Sequence, residues 1–236
     1  MDITLLKEAV KQRHSVRKYT DKPIEHNLIV ELTNKIEEIN EQSHLHIQLV
    51  INEPKAFYGF KSYGQFHGVN NYIVMIGKKS KDLDRKVGYY GEQLVLYAQI
   101  LGLNTCWVGL TYSKVNAAFQ IKKDEKVACV ISLGYGETLG ASHKVKTIEQ
   151  VSNFTDSMPL WFKQGVEAAL LAPTAVNQQK FRFEYHFDSS KNKPIVRAKK
   201  GFSLLGYTQM DLGIAQYHFE IGAGRENFEW SKDSQI

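Results

Sequence analysis

The chain has 236 residues, of which 43% are hydrophobic and 23% charged, and 30 Lys and Arg against 25 Asp and Glu give a net charge of +5. This is ordinary globular usage, which argues against a disordered, collagen-like or coiled-coil chain. No apolar run approaches the roughly 20 residues of a membrane span, so no membrane partner is expected. The first 19 residues mix charged and apolar side chains as an amphipathic helix does, unlike a signal peptide.

Hydrophobic periodicity predicts a string of helices and strands along the whole chain. The predicted helices are 2–12, 26–39, a short one near Asn116, 87–101, 162–171 and 210–221, and the predicted strands are 44–51, 71–77, 105–110, 127–133, 181–187 and 194–199. The order helix, strand, strand, long helix, glycine occurs twice, between 27 and 102 and between 162 and 224. We therefore expect one unit built of two similar α+β halves, 1–150 and 151–236.

Cysteine, histidine and lysine usage restricts the chemistry. Cys106 and Cys129 lie in apolar, strand-like runs, which favours buried reduced thiols in a cytoplasmic protein over a nucleophilic Cys106. His44 and His46 share one face of a predicted strand, but no third ligand follows at a recognisable spacing, so no metal site is predicted. The positive net charge permits an anionic partner, and a phosphorylated cofactor fits it as well as nucleic acid does. The lysines are scattered and form no basic stripe, so nucleic acid is not a predicted partner.

The first candidate site segment, 13–17, follows the N-terminal helix. In an extended segment Arg13, Ser15 and Arg17 point to the same side, because side chains alternate. Two guanidiniums and a hydroxyl suit a phosphate or a polyol, since arginine offers paired donors. A solvated basic surface is the alternative interpretation.

The second candidate segment, 172–179, joins a predicted helix to a predicted strand. Its small residues allow backbone groups to approach a flat ligand, and its Asn and Gln side chains supply donor and acceptor pairs for a heterocycle edge. A simple helix stop, made by Pro173 and a turn at Asn177, is the alternative.

A glycine-rich stretch, 134–140, superficially resembles a dinucleotide-binding fingerprint. Its last glycine falls one residue late and no helix begins there, so a Rossmann site is not predicted. Just downstream, Lys144 and Lys146 lie on one face and either complete an anion pocket or form a solvated cluster.

Together these segments resemble the FMN-dependent nitroreductase family. The resemblance is carried by 13–19, by 101–109 (LGLNTCWVG), by 131–136 (ISLGYG) and by 172–179 (APTAVNQQ), which is similar to the family's A-P-S-x-x-N-x-Q-P-W segment. It implies an α+β, nitroreductase-like fold with an antiparallel-rich sheet and long central helices. Lys180 and Phe181 stand where the family has the P-W pair.

One departure from the family pattern concerns the order of the motifs. In typical members the A-P-S segment follows soon after the arginine motif, and the flavin lies at a homodimer interface with one segment from each subunit. Here the arginine motif occurs only in the first half and the A-P-S-like segment only in the second. The chain is therefore similar to a single-chain, pseudo-dimeric branch, in which a monomer builds one site between its own two halves.

The resemblance implies an FMN site and no catalytic acid or base, because the flavin carries the redox chemistry. Arg13 and Ser15, with Lys144 and Lys146, would hold the phosphate and ribityl chain, and Arg17 would face the pyrimidine edge. Val108 and Gly109 would approach flavin N5, and the ring would be lined by Pro173, Thr174, Ala175 and Asn177. His14 and Gln179 are the remaining implied cofactor-binding residues.

The implied activity is an NAD(P)H oxidoreductase that reduces nitroaromatics, quinones or similar small-molecule acceptors. A flavin-binding protein without turnover, acting as a sensor or a store, is the alternative from a different functional class.

Overall fold

The structure, a computed structural model, describes residues 2–58, 64–190 and 192–236. In chain order its helices are α1 (Ile3–Gln12), α2 (His26–Ser43), α3 (Leu83–Ile100), α4 (Ile148–Val151), α5 (Leu160–Leu170) and α6 (Thr208–Ala223). Its strands are β1 (Gln48–Val50), β2 (Asn71–Lys78), β3 (Asn104–Val108), β4 (Glu125–Gly134), β5 (Phe181–Asp188), β6 (Lys193–Lys200) and β7 (Glu229–Trp230). None of the helices described is long and apolar enough to cross a membrane.

One compact unit, called here the four-stranded unit, comprises Gln12–Leu83 and Gln93–Ser142. Its sheet has the order β1-β2-β4-β3 and is antiparallel throughout. β2 is buried along almost its whole length, which matches its continuous apolar sequence. A central strand with both faces covered needs apolar side chains at odd and even positions alike.

The second unit, called the three-stranded unit, comprises the described residues of 1–11, Asp84–Glu92 and His143–Ile236. β5 and β6 form an antiparallel hairpin, and the short β7 adds parallel to β6. Its core is aromatic: the rings of Phe183 and Phe219 stack with centroids 4.6 Å apart, and Phe228 meets Phe219 edge-on at 5.3 Å. Rings in these orientations add a favourable electrostatic contribution to their burial.

The predicted order of elements is present twice, as α2-β1-β2-α3 and as α5-β5-β6-α6. Gly102 and Gly224 follow the two long helices with φ of 77° and 78°, a left-handed conformation that glycine adopts without steric cost. The two units, however, do not follow the predicted halves 1–150 and 151–236, because α1 and the first half of α3 pack within the three-stranded unit. Duplication of the halves stays a prediction.

Two local predictions are wrong. The strand expected over 44–51 is only Gln48–Val50, because α2 continues to Ser43 and His44 ends it in the left-handed conformation, donating its N–H to Asn40 O. His44 and His46 therefore do not share a strand face, and the His46 ring instead pairs with Glu125 at 2.9 Å. The short helix expected near Asn116 is a turn.

α3 and α6 cross in direct backbone contact within the three-stranded unit. A Cβ on Gly88 would lie 2.1 Å from Met210 O, and one on Gly213 would lie 2.1 Å from Arg85 O. No side chain other than hydrogen fits at those separations, so both positions require glycine. The two helices approach as closely as glycine allows, and the packing of α6 is tied to this crossing.

Polar side chains also bridge the same two helices close to the crossing. Arg85 Nε donates to Gln216 Oε1 at 2.7 Å, and Tyr89 Oη donates to Glu220 Oε2 at 2.6 Å. Farther along, the fully buried His218 lies with Nε2 2.8 Å from the Glu92 carboxylate. These bridges set the register of α6 along α3.

We expect Gly213→Ala to lower the free energy of unfolding by about 2–4 kcal/mol or to prevent folding, since the added methyl overlaps helix backbone. Urea unfolding measures the loss. Gly201→Ala is the matched control, because a Cβ there meets Lys180 O only at 3.3 Å, and it should cost less than about 1 kcal/mol. Equal losses in the two variants would contradict a glycine-dependent crossing.

Candidate functional site

The arginine segment lies against the sheet of the four-stranded unit. Val16 and Tyr19 are its buried anchors: Val16 N donates to Thr105 O at 3.0 Å, and Tyr19 Oη lies 2.8 Å from Ser132 Oγ. Ser15 forms a parallel bridge to Thr105 on β3. These contacts fix the path of residues 15–19, so the side chains on the alternate positions are held in place.

Arg13, Ser15 and Arg17 all act on the Cys106 thiol of β3. Burial raises the pKa of Cys106, and the Arg17 charge, a hydrogen bond with Ser15 and the Arg13 charge oppose that shift. All three predicted side chains are therefore near enough to Cys106 to influence its thiol. Arg13 is only 3% exposed, whereas Arg17 is exposed. The raised thiol pKa argues against the alternative of a nucleophilic Cys106.

The glycine-rich stretch 134–140 makes room for the arginine segment. A Cβ on Gly136 would lie 2.8 Å from Val16 Cγ1, and one on Gly140 would lie 2.7 Å from His14 Cβ. Gly136 also donates its N–H to Asn104 Oδ1 at 2.9 Å. The fingerprint-like glycines thus pack against 14–16, which gives them a role that sequence reasoning did not find. The same packing places the half-buried His14 beside Gly140.

Val108 and Gly109 end the strand that carries Thr105 and Cys106. Val108 is buried opposite Val130 of β4, and Gly109 is half-buried just beyond the strand. Both therefore belong to the same strand edge as the arginine segment. Their implied position near a flavin ring stays a prediction.

The loop 173–179 belongs to the three-stranded unit and is closed by amide hydrogen bonds. Asn177 Nδ2 and Gln179 Nε2 donate to Lys144 O at 2.8 Å and 2.7 Å, and Lys146 N donates to Gln179 Oε1 at 2.9 Å. Gln179 N donates to Thr174 Oγ1 at 3.1 Å. The predicted residues Thr174, Asn177 and Gln179 and the 144–146 segment are thus brought together, while Pro173 stands where the loop leaves the helix α5.

Lys146 holds this loop with its side chain. Its Nζ donates to Gln178 O at 3.1 Å and to Gln179 O at 2.7 Å, while the Lys144 side chain is exposed. Burial and then the neighbouring Lys180 lower the pKa of Lys146. An ammonium has three protons, so two carbonyl bonds leave one for a further acceptor. The phosphate role of both lysines stays a prediction.

The loop contains three residues in the left-handed conformation, Val176 (φ 46°), Asn177 (φ 55°) and Gln179 (φ 45°). This conformation is costly for any residue with a Cβ and most costly for a β-branched one such as Val176. It persists only where surrounding contacts impose it. The hydrogen bonds to residues 144–146 are one set of those contacts.

Asp211, in the first turn of α6, supplies the other set and was missed by sequence reasoning. Its Oδ1 accepts from Ala175 N at 2.9 Å and its Oδ2 accepts from Gln178 Nε2 at 2.6 Å. Burial raises the pKa of Asp211 to about 6, and those two hydrogen bonds oppose the shift. The available signal was an acidic residue in the first turn of a largely apolar helix.

Sequence comparison then shows the family of the chain. The family described as "Putative TM nitroreductase" matches residues 5–223, which is most of the sequence. The chain therefore belongs to this family, and the predicted α+β, nitroreductase-like fold is confirmed. A search of curated proteins finds no match.

Comparison with solved structures finds the same fold in a nitroreductase. A nitroreductase structure from Thermotoga maritima has 22% identity and a TM-score of 0.63, and the match covers 97% of this chain and 87% of that one. A structure from Staphylococcus epidermidis named as an NAD(P)H:FMN oxidoreductase has 16% identity and a TM-score of 0.50, over 64% of this chain and 95% of that one. A nitroreductase from Exiguobacterium sibiricum, crystallised with FMN, has 17% identity and a TM-score of 0.49, over 66% and 98%.

The Asp211 carboxyl makes stability fall as pH rises. Its pKa is raised from the ordinary 3.8 to about 6, so between these values the folded state holds a proton that the unfolded state has lost. We expect this residue to remove about 2–3 kcal/mol of unfolding free energy as pH rises from about 4 to about 6.5.

Urea unfolding of the parent and of Asp211→Asn at each pH isolates the contribution, because every other carboxyl is common to both proteins. The difference between them should change in favour of the variant as pH rises. A difference that does not vary with pH would contradict the assignment.

Proposed function

We propose that this chain is a flavin oxidoreductase that binds FMN, takes electrons from NAD(P)H and passes them to a nitroaromatic, a quinone or a similar small acceptor. The observation that carries the proposal is the buried Arg13 beside Ser15 and Arg17, in a chain that belongs to a nitroreductase family from residue 5 to residue 223. The donor set fits FMN: guanidiniums and a hydroxyl suit a phosphate, and a loop of small residues and amides suits a flat heterocycle.

FMN, when bound, would supply the redox chemistry by accepting a hydride from the nicotinamide and passing two electrons to the acceptor. Arg13 and Ser15 would bind the phosphate and the ribityl hydroxyls. Burial strengthens the contribution of Arg13, because a guanidinium removed from water interacts with a phosphate in a lower dielectric.

The remaining residues would position the ring. Arg17 would hold positive charge near the pyrimidine edge, where charge-assisted hydrogen bonds favour an anionic ring. Pro173, Thr174, Ala175 and Asn177 would line the ring and exclude water from it. No side chain needs to act as a general acid or base in this scheme.

Because each flavin-binding segment occurs once in the chain, the proposal includes one FMN per chain and no need for a second copy. The recurrence of the order helix, strand, strand, long helix within one chain supports this part of it.

The phosphate assignment is tested by Arg13→Ala. A charge-assisted hydrogen bond contributes ~1.5–3 kcal/mol, so we expect FMN affinity to fall roughly ten- to a hundredfold. Riboflavin, which lacks the phosphate, should lose much less affinity in the variant than FMN does. Fluorescence titration of the apoprotein measures both. Lys78→Ala removes an exposed lysine that lies 3.8 Å from the Asp124 carboxylate; it is the control and should bind FMN as the parent does. Unchanged FMN binding by Arg13→Ala would show that the phosphate lies elsewhere.

Turnover distinguishes an enzyme from a flavin store or sensor. Stopped-flow mixing of the FMN-loaded protein with NADH or NADPH should bleach the visible absorbance of the oxidised flavin, and an added quinone or nitroaromatic should restore it. Bleaching no faster than in buffer with free FMN, for both coenzymes, would leave binding without turnover as the function.

A further inference from the structure

We infer that Asp211 is the positioning residue for the flavin-lining loop: it holds residues 175–178 in the conformation that receives the ring. This inference rests on the proposed function. It assigns no chemical step to Asp211, which would act only through the loop.

The carboxylate engages the loop on both sides of its left-handed stretch. Oδ1 binds the backbone N–H of Ala175, just before Val176, and Oδ2 binds the side-chain amide of Gln178, just after Asn177. The two residues enclosed, Val176 and Asn177, have φ of 46° and 55°. A single side chain thus spans the segment whose backbone conformation is least favourable by itself.

Asp211 is rigidly placed on α6. Its own N–H donates to Tyr207 O, and Gly213, two residues on, lies in backbone contact with Arg85 and Tyr89 of α3. Asp211 is only 3% exposed, so water does not compete for the carboxylate. Through Asp211 the loop is therefore positioned by α6, which is itself fixed where its backbone touches that of α3.

The orientation of the Gln178 side-chain amide shows which residue is the donor in this contact. Its Nε2 also donates to Gly206 O at 3.2 Å, while its Oε1 is buried and has no hydrogen-bond partner among the described residues. A buried acceptor without a partner is costly, and it is tolerated because the carboxylate requires a donor from residue 178. Exchanging donor and acceptor between residues 178 and 211 should therefore restore the contact.

The experiment compares four variants with the parent: Asp211→Ala, Gln178→Glu, the double variant Gln178→Glu/Asp211→Asn, and Asp156→Ala. Asp156 is an exposed acid of the same unit and controls for loss of one negative charge, so its variant should bind both flavins as the parent does. Dissociation constants are measured for FMN and for riboflavin, and hydrogen exchange of the 175–179 amides is measured in the apoprotein.

We expect Asp211→Ala and Gln178→Glu each to weaken FMN and riboflavin by the same factor, about ten- to a hundredfold, with faster amide exchange at 175–179. The double variant should bind several-fold more tightly than Gln178→Glu alone but less tightly than the parent, because the bond to Gly206 O is not restored. In that variant the carboxylate introduced at position 178 accepts from the amide introduced at position 211, whose oxygen still accepts from Ala175 N. Rescue by an exchanged pair is not expected of general destabilisation, so the test holds even where Asp211→Ala folds poorly.

The outcomes separate this inference from the proposed function. Two results would overturn the positioning role while flavin binding by the parent stands. In the first, Asp211→Ala binds both flavins as the parent does. In the second, the double variant binds as weakly as Gln178→Glu alone. Loss of FMN binding without loss of riboflavin binding would also overturn it, since the loop would then serve the phosphate. A parent that binds neither flavin overturns both.

Discussion

The crossing of α3 and α6 is the constraint on which the three-stranded unit depends. Glycines at 88 and 213 allow backbone contact at a separation that no other residue permits, and the Arg85–Gln216 and Tyr89–Glu220 bonds set the register. A close crossing fixes axial and rotational position together, because a one-residue shift would place a Cβ against backbone. The side chains on the first turns of α6 are therefore fixed in position together with the helix.

One side chain, Asp211, connects this crossing to the loop proposed to line the flavin. Asp211 extends the rigid placement of α6 to the loop 173–179, and residues 144–146 close the loop from the other side. The energetic cost of three left-handed residues is offset by buried hydrogen bonds with charged partners, Asp211 and Lys146, which are stronger than neutral ones. The loop is preformed, so a ligand need not provide the free energy that orders it.

In the four-stranded unit the arginine segment is also held in place, but by buried anchors and neighbouring glycines. The arginine segment is held by anchors, Val16 and Tyr19, and by glycines that leave room for its backbone. Arg13 is buried while Arg17 is exposed, although alternation predicts the same side for both. Alternation therefore predicts which side chains share a side, but how deeply each one is buried depends on the residues that pack over it.

By itself the sequence determined the helices and strands with clear periodicity, the twice-repeated order of elements, the family and the two segments proposed to bind flavin. These are local properties, or motifs carried by consecutive residues. Only the tertiary structure decided that Asp211 and Lys146 hold the loop, that the 134–140 glycines pack against the arginine segment, and that α1 and part of α3 belong with the second unit. Each of those depends on partners far apart in the chain, such as Ala175 and Asp211 at a separation of 36 residues, and no local pattern specifies which distant groups meet.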